Sequence, residues 1–155
     1  MQDSLGFVCD NIYISSLQVA CDEEFLLSKN INFIINLSGI KFETNLPVIH
    51  IFIADKDVTF DLLDTYIDAF TGARRYIKSC IDNNLNVLVN CRAGVNRSAT
   101  AIAFYLLSSG LSYNQVIYIL LTANNARNVP VLTNPSFRYL IKTYASLIHY
   151  QKKKY

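Results

Sequence analysis

The chain contains the segment Asn90-Cys91-Arg92-Ala93-Gly94-Val95-Asn96-Arg97-Ser98, and the patterns on either side of it indicate the expected architecture. Before it, residues 86–89 are mostly apolar and β-branched, which predicts a buried strand. After it, apolar residues recur at helical spacing from Ala99 to Ser109, and Gly110 provides a C-terminal cap. The segment therefore predicts a strand, a tight loop and a helix start, with a cysteine at the loop's beginning and an arginine at its end.

This loop has the features of an anion site. A loop that leads into a helix carries backbone N–H groups without intrahelical partners, and the helix dipole adds about half a positive charge. Such loops bind phosphate, Gly94 permits the tight turn, and Arg97 can offer two parallel donors. The same field favours the thiolate of Cys91, since cysteines so placed have pKa values of about 3.5–7.5. A thiolate that faces a bound phosphate indicates phosphoryl transfer through a phosphocysteine intermediate.

The segment from Cys91 to Arg97 resembles the Cys-x5-Arg loop of the protein tyrosine phosphatase superfamily. The longer string Cys-Arg-Ala-Gly-Val-Asn-Arg-Ser is similar to that of the dual-specificity phosphatases, particularly their poxvirus-type members. Weaker similarity extends to residues 11–15 and to the Asn134-Pro135-Ser136-Phe137 segment. The alternative interpretation of the loop is a buried core cysteine beside an unrelated glycine turn.

The resemblance implies a role for each matching residue. Cys91 would attack phosphorus, and Ser98 would stabilise the thiolate that leaves when the intermediate is hydrolysed. The phosphate would be held by Arg97 and the loop N–H groups, a substrate-binding set of Arg92, Ala93, Gly94, Val95, Asn96 and Arg97. The leaving group would be protonated by Asp55, which follows an apolar strand, with Asp57 as the alternative. Asp55 lies 36 positions before Cys91, a longer separation than is usual in the family.

Asn90 is the main departure from the family pattern, which usually has a histidine directly before the cysteine. Asparagine donates hydrogen bonds but carries no charge, so the thiol is expected to be less acidic than in typical members. A degenerate phosphatase that binds phosphoproteins without turnover is therefore an alternative function. Arg92 resembles the lysine of lipid phosphatases, and Asn96-Arg97 also occurs in RNA 5′-phosphatases, so phosphoinositides and RNA 5′-phosphates are alternative substrates. Arg127 matches a family position and either packs structurally or binds a second anion.

Strands alternate with helices along the rest of the chain. This order predicts an α/β three-layer sandwich, with a central, mainly parallel sheet of four to five strands flanked by helices. The predicted strands are residues 11–15 (with Phe7 and Val8 opening the first), 31–37, 48–54 and 86–89. The predicted helices are residues 17–29, a long helix capped by Asp61 and ending at 82 or 83, 99–109, 112–121 with a Ser112–Gln115 capping box, and a last helix opened by Asn134-Pro135. Ligands bind at the carboxyl ends of such strands, where Asp55 and Cys91 lie.

Length and composition indicate one domain, and the resemblance implies that residues 1–155 are a single catalytic domain. A hydrophobic content of 52% argues against disorder, and a net charge of +2 is too small to indicate a nucleic-acid partner. No run approaches the ~20 apolar residues of a membrane span, and no signal-peptide pattern is present. Four cysteines without a CxxC pair fit free thiols in the cytoplasm, and their spacing with histidine and aspartate suggests neither a metal nor another cofactor.

The expected function is a dual-specificity protein phosphatase, because so short a chain leaves little room for walls that deepen the pocket. Phosphorylated proteins are the expected partners, without nucleic acid or membrane. A cysteine protease would need a histidine base, and His50, in the middle of a predicted strand, is better explained as structural. A monomer is expected, since the first strand starts too early for the N-terminal helix through which some poxvirus-type relatives dimerise. Abundant Asn, Ile and Lys suggest an AT-rich, viral genome.

Overall fold

Five strands form the central sheet of the computed structural model, which describes residues 4–154. They are β1 (Gly6–Cys9), β2 (Ile12–Ser15), β3 (Phe33–Asn36), β4 (Val48–His50) and β5 (Val87–Asn90). Their order across the sheet is β1-β2-β5-β3-β4, with β1 antiparallel to β2 and the three other pairings parallel. The predicted mainly parallel sheet is confirmed, and β5 lies at its centre with its carboxyl end beside those of β2 and β3.

Helices cover both faces of the sheet. They are α1 (Leu17–Ala20), α2 (Glu23–Ser28), α3 (Leu63–Asp82), α4 (Arg97–Ser108), α5 (Tyr113–Ala126) and α6 (Pro135–Lys153). Successive residues of β5 point to opposite faces, so Val87 and Val89 pack in the cluster that contains α3 to α6, whereas Leu88 packs with Leu26 of α2. Both faces of the central strand are therefore buried, which confirms the three-layer sandwich. None of the helices within residues 4–154 combines the length and apolar character needed to span a bilayer.

Local capping signals are confirmed where the sequence is most explicit. Ser112 and Gln115 form the reciprocal capping box of α5, and the Asn134 side chain accepts from the Ser136 N–H at the start of α6. Gly110 follows α4 with a φ of 108°. These signals depend only on neighbouring residues, so they hold whatever the tertiary fold.

Two predicted elements at the N-terminal end are each divided. Residues 7 and 8 belong to β1 and do not open β2, because the chain reverses at Asp10, which has a φ of 47°. The helix predicted over residues 17–29 is two helices, because the carboxylate of Asp22 accepts from the Phe25 N–H at 3.1 Å and starts α2 anew. Both corrections come from an aspartate that favours a turn or a cap over a continuous element.

The strand predicted over residues 48–54 is wrong in length. It ends at His50, since β3, the neighbour with which β4 pairs, ends at Asn36, and one further bond joins the Ile51 N–H to the Asn36 carbonyl. Residues 51–58 are a loop that carries Asp55. The prediction that Asp61 caps the long helix is also wrong, because Asp61 lies in a 3-10 turn (Phe60–Leu62) and accepts from the Thr59 hydroxyl.

The remaining corrections concern element ends. The third strand is shorter than residues 31–37, helix α4 begins at Arg97 and not at residue 99, and α5 continues to Ala126 beyond residue 121. The early start of α4 matters for the site, because it makes Arg97 the first residue of the helix.

Candidate active site

Cys91 directly follows β5, and its side chain lies at the base of a cleft. The residue is 2% exposed, and its Sγ lies 3.2 Å from the hydroxyl of Ser98, on the first turn of α4. Burial alone would raise the pKa of this thiol, but hydrogen bonds from the Ser98 hydroxyl and N–H, the charge of Arg97 and the N–H of Val95 oppose burial. Together they hold the pKa of Cys91 below its ordinary value of 9.0, which favours the thiolate.

Arg97 is fixed by the backbone of two neighbouring loops. Its guanidinium is buried, and Nη1 donates to the carbonyls of Ser38 at 3.2 Å and Ile53 at 3.0 Å. These carbonyls follow β3 and β4, so the guanidinium ties both loops to the start of α4. The Nε–H of Arg97 is buried and has no hydrogen-bond partner among residues 4–154. A buried donor without a partner is costly, and an anion in the cleft would satisfy it.

The segment 91–97, called here the Cys91 loop, is held from behind by the C-terminal part of the chain. Arg127 donates to the carbonyls of Ala93 at 3.1 Å and Gly94 at 2.8 Å, and the Leu132 N–H donates to that of Val95 at 2.9 Å. Because these carbonyls are bound on the outer side, the loop can direct N–H groups toward the cleft. Gly94 has a φ of +68°, and a Cβ there would lie 2.6 Å from the Ser15 carbonyl oxygen.

Asp55 lies at the rim of the same cleft. Its carboxylate accepts from the amide of Asn96 at 3.1 Å and from that of Asn134 at 2.9 Å. The preceding carbonyl, of Ala54, accepts from the hydroxyl of Tyr66 at 2.9 Å. Burial and the charge of Asp55 raise the pKa of Tyr66 more than Arg97 lowers it, so this hydroxyl remains a donor. Asp55 is thus attached to the Cys91 loop and to the start of α6.

The cleft has a volume of about 550 Å³ and brings most of the predicted site residues together. Its lining comprises Ser38, Ile40, Asp55, Cys91, Arg92, Ala93, Val95, Asn96 and Arg97. Arg92 is exposed at the rim, and Arg127 lies behind the loop, buried against its carbonyls. Asp57 is exposed and is not among the lining residues. Within residues 4–154 no three His, Cys, Asp or Glu side chains group as a metal site would require.

Asn36 and Asn134 were not predicted as site residues from the sequence, and neither was the contact of Asn96 with Asp55. Asn36 accepts from the Asn90 amide at 3.0 Å, and Asn96 and Asn134 hold Asp55. Each acts across 38 or more positions of the chain, so spacing alone gives no signal. Asn36 could have been suspected, since it interrupts an apolar strand near its carboxyl end.

Comparisons with known proteins agree with this geometry. The model of the dual specificity phosphatase catalytic domain matches residues 12–147. Dual specificity protein phosphatase OPG106 of vaccinia virus (strain Copenhagen) is 32% identical over 143 residues, which are 88% of this chain and 80% of that protein.

Two solved structures show the same fold at lower identity. A mouse putative dual specificity phosphatase complexed with zinc tungstate has a TM-score of 0.80 at 19% identity, with 98% of this chain and 92% of that chain covered. The human tyrosine phosphatase-like serine/threonine/tyrosine-interacting protein has a TM-score of 0.77 at 18% identity, with 95% and 99% covered. Since the family model spans most of the chain and the vaccinia virus relative covers most of both proteins, this chain belongs to the dual specificity phosphatase family and is a cysteine-based protein phosphatase.

Proposed function

We propose that Cys91 is the nucleophile with which this phosphatase hydrolyses phosphotyrosine, phosphoserine and phosphothreonine in proteins. The observation that supports this most is the position of the sulfur, 3.2 Å from the Ser98 hydroxyl at the base of the cleft that Arg97 lines. A thiolate there faces both the charged guanidinium and the N–H groups of the Cys91 loop. Such donors, fixed before the substrate arrives, are usually the largest contribution to catalysis.

The chemistry proceeds in two displacements. The Cys91 thiolate attacks phosphorus, the bond to the leaving oxygen breaks, and Asp55 gives its proton to that oxygen. A water then attacks the phosphocysteine, Asp55 takes the proton from this water, and the sulfur departs as a thiolate with inorganic phosphate as product. The Ser98 hydroxyl stabilises the departing thiolate, and Arg97 with the loop N–H groups binds the three equatorial oxygens throughout.

Asp55 is the better candidate for the general acid than Asp57. Its carboxylate lines the cleft above Cys91, and amides of Asn96 and Asn134 fix its direction. Asp57 is two positions further along the same loop, exposed and outside the cleft lining. The long separation from Cys91 in the sequence is accommodated by the 3-10 turn and by the 20 residues of α3.

Dual specificity is supported by how little surrounds the cleft. Its walls are the short segment that contains Ser38 and Ile40, Asp55, and the Cys91 loop itself. Low walls would admit the short phosphoserine and phosphothreonine side chains as well as phosphotyrosine. The name of the vaccinia virus relative, a dual specificity protein phosphatase, agrees with this substrate range. We further propose a single catalytic domain that acts as a monomer in the cytoplasm on phosphorylated proteins, without nucleic-acid or membrane partners.

The test combines three variants with a substrate panel. Cys91→Ser should abolish vanadate-sensitive release of p-nitrophenol from p-nitrophenyl phosphate. Asp55→Asn should reduce kcat by about 10²–10⁴ on phenyl phosphate, whose leaving group needs a proton, while the matched Asp57→Asn changes kcat little. Comparable rates on phosphotyrosine and phosphothreonine peptides are expected. A marked preference for phosphoinositides or RNA 5′-phosphates, or tight peptide binding without turnover, would contradict the proposal.

A further inference from the structure

Three adjacent parallel strands end in polar side chains that contact one another. In the register of the sheet, Asn36 of β3 pairs with His50 of β4 on one side and with Asn90 of β5 on the other. Asn36 Nδ2 lies 2.8 Å from His50 Nδ1, and Asn90 Nδ2 donates to Asn36 Oδ1 at 3.0 Å. We call these three residues the strand-end network. It leads from an edge strand to the residue directly before Cys91.

The neighbours of Asn36 settle which way its amide faces. Its Oδ1 lies 3.1 Å from the Ser38 backbone N–H, which can only donate, and its Nδ2 lies 2.8 Å from the Ile40 carbonyl, which can only accept. The remaining hydrogen on Nδ2 is therefore directed to His50, so Nδ1 of the imidazole must accept it. The structure consequently requires a neutral His50 with its proton on Nε2.

Asn36 connects this imidazole to the groups around the phosphate site. Its Oδ1 also accepts from the Ser38 hydroxyl at 2.7 Å, and the Ser38 carbonyl accepts from Arg97 at 3.2 Å. On the other side, the Asn90 amide that it binds also lies 3.4 Å from the Cys91 carbonyl. The Oδ1 of Asn90 is buried without a donor among the described residues, so this amide depends on its Nδ2 contacts.

We propose that His50 is a positioning residue for the phosphatase reaction and acts only in its neutral form. A proton on Nδ1 would place one donor against another, and Asn36 would have to turn away or move. Its contacts with Ser38 and Asn90 would weaken, which loosens the anchor of Arg97 and the backbone at Cys91. The inference rests on the proposed roles of Cys91 and Arg97. It gives the chain a histidine-dependent loss of activity on the acid side.

The described surroundings of His50 are an amide on one side and an aromatic ring on the other. Asn36 contacts it from β3, and the ring of Phe42, in the loop after β3, packs edge-on at 5.6 Å between centroids. The ion pair found within residues 4–154 joins Lys78 to Asp82 on α3, so no described carboxylate lies within ion-pair distance of the imidazole. Histidine is the side chain whose charge ordinarily changes between about pH 5 and 8, so the experiment covers that range.

The decisive experiment compares kcat/KM of the wild type with that of His50→Asn from pH 5 to 8 on one substrate. Asparagine can place its Oδ1 where Nδ1 lies and accept from Asn36, but it takes up no proton. Because the substrate's ionisation is common to both proteins, it cancels in their ratio. The ratio of wild-type kcat/KM to that of His50→Asn should be near one at pH 7.5 and should fall by about 2- to 10-fold toward pH 5. This is the loss expected for one hydrogen bond. Parallel profiles would overturn the proposal.

Two further variants separate positioning from general effects. His149→Asn, the matched change at the other histidine, on α6, should leave the acid limb as in the wild type. His50→Phe removes the acceptor at every pH, so its kcat/KM should be low at pH 7.5 by the same factor. If His50→Phe is as active as His50→Asn at pH 7.5, the acceptor has no function and the proposal fails.

A measurement on the unaltered protein covers the case in which variants fold poorly. Nitrogen-15 chemical shifts of the imidazole at pH 7.5 should report a neutral ring protonated on Nε2. A ring protonated on Nδ1, or an imidazolium, would overturn the inference without any assay of activity. Retained turnover in Cys91→Ser would instead refute the proposed function and leave the imidazole result unaffected, so the two failures are distinguishable.

Discussion

The substitution Ser98→Ala tests the electrostatics of the proposed nucleophile, Cys91, most directly. Ser98 is fully buried, and its hydroxyl, 3.2 Å from the sulfur, is the largest of the contacts that lower the pKa of Cys91 against the effect of burial. A hydrogen bond to a charged group contributes about 1.5–3 kcal/mol. We take the lower end, because the Ser98 N–H and the Arg97 charge remain. The thiolate fraction of Cys91 should then fall by about tenfold at pH values below its pKa.

Alkylation by iodoacetamide measures that fraction, because only the thiolate reacts. Burial and the nearby Asp10 raise the pKa of Cys9 to about 11, and burial raises that of Cys80 to about 11 and that of Cys21 above 9.0. These three cysteines are therefore thiols at pH 7, and reaction there reports Cys91. The Cys91→Ser variant supplies the background rate.

At pH values below the pKa of Cys91 the rate for Ser98→Ala should be about tenfold below wild type, and the two rates should converge at alkaline pH. A matched control is Ser109→Ala at the far end of α4, whose hydroxyl donates to the Leu106 carbonyl and lies away from the sulfur. Equal rates for Ser98→Ala and wild type over the whole pH range would refute this expectation. A deficit that persists at alkaline pH would also refute it, since it would indicate restricted access and not a smaller thiolate fraction.

Three other changes in the Cys91 loop have definite expected results. Gly94→Ala places a Cβ 2.7 Å from Arg127 Nη1 at a φ of +68°. The midpoint of urea unfolding should therefore fall, with a loss of about 1–3 kcal/mol in the free energy of unfolding. An unchanged midpoint would show that the loop adapts. Arg97→Lys replaces a forked donor by a point charge, so kcat/KM for p-nitrophenyl phosphate should fall about 10²–10³-fold, and a deficit under tenfold would mean that charge alone suffices. Because the pKa of Cys91 is lower in the folded state than its ordinary 9.0, the unfolded chain binds more protons between those two values. The free energy of unfolding in urea, wild type minus Cys91→Ser, should therefore be highest above about pH 9 and should decline as the pH falls through the folded-state pKa of Cys91. If both proteins show the same pH dependence, the lowered pKa is contradicted.

Features that depend on near neighbours in the chain are the ones correctly predicted from the sequence. The capping box at Ser112 and the cap at Asn134 are satisfied within three residues, and they form as predicted. The strand after Pro47 was predicted too long, because its length depends on where its partner β3 ends. Asp61 was wrongly assigned as a cap, because the hydroxyl of Thr59 binds its carboxylate in a 3-10 turn. Apolar periodicity reveals which segments form paired strands but not how many residues of each strand are paired.

The site residues also divide into those set by near neighbours and those that depend on distant parts of the chain. Cys91, Arg97 and Ser98 lie within eight positions, so the motif alone predicts that they share one loop at the start of a helix. The supporting asparagines are invisible to such reasoning, since Asn36 and Asn134 reach the site from other parts of the chain. Asn90 was noted only as a missing positive charge. The structure adds that its amide continues a hydrogen-bonded row across the sheet, which no property of residue 90 alone could indicate.

The contacts behind the Cys91 loop imply that its sequence, moved alone into a peptide or another protein, would not keep its conformation. Three successive carbonyls, of Ala93, Gly94 and Val95, are bound by groups that come from residues 127 and 132. A peptide or grafted segment with residues 86–110 would keep every letter of the motif but lose the partners that orient its peptide planes. The phosphate affinity that we propose would therefore depend on the assembled domain, which also anchors Arg97 on the Ser38 and Ile53 carbonyls, and an isolated strand-loop-helix segment should bind phosphate weakly.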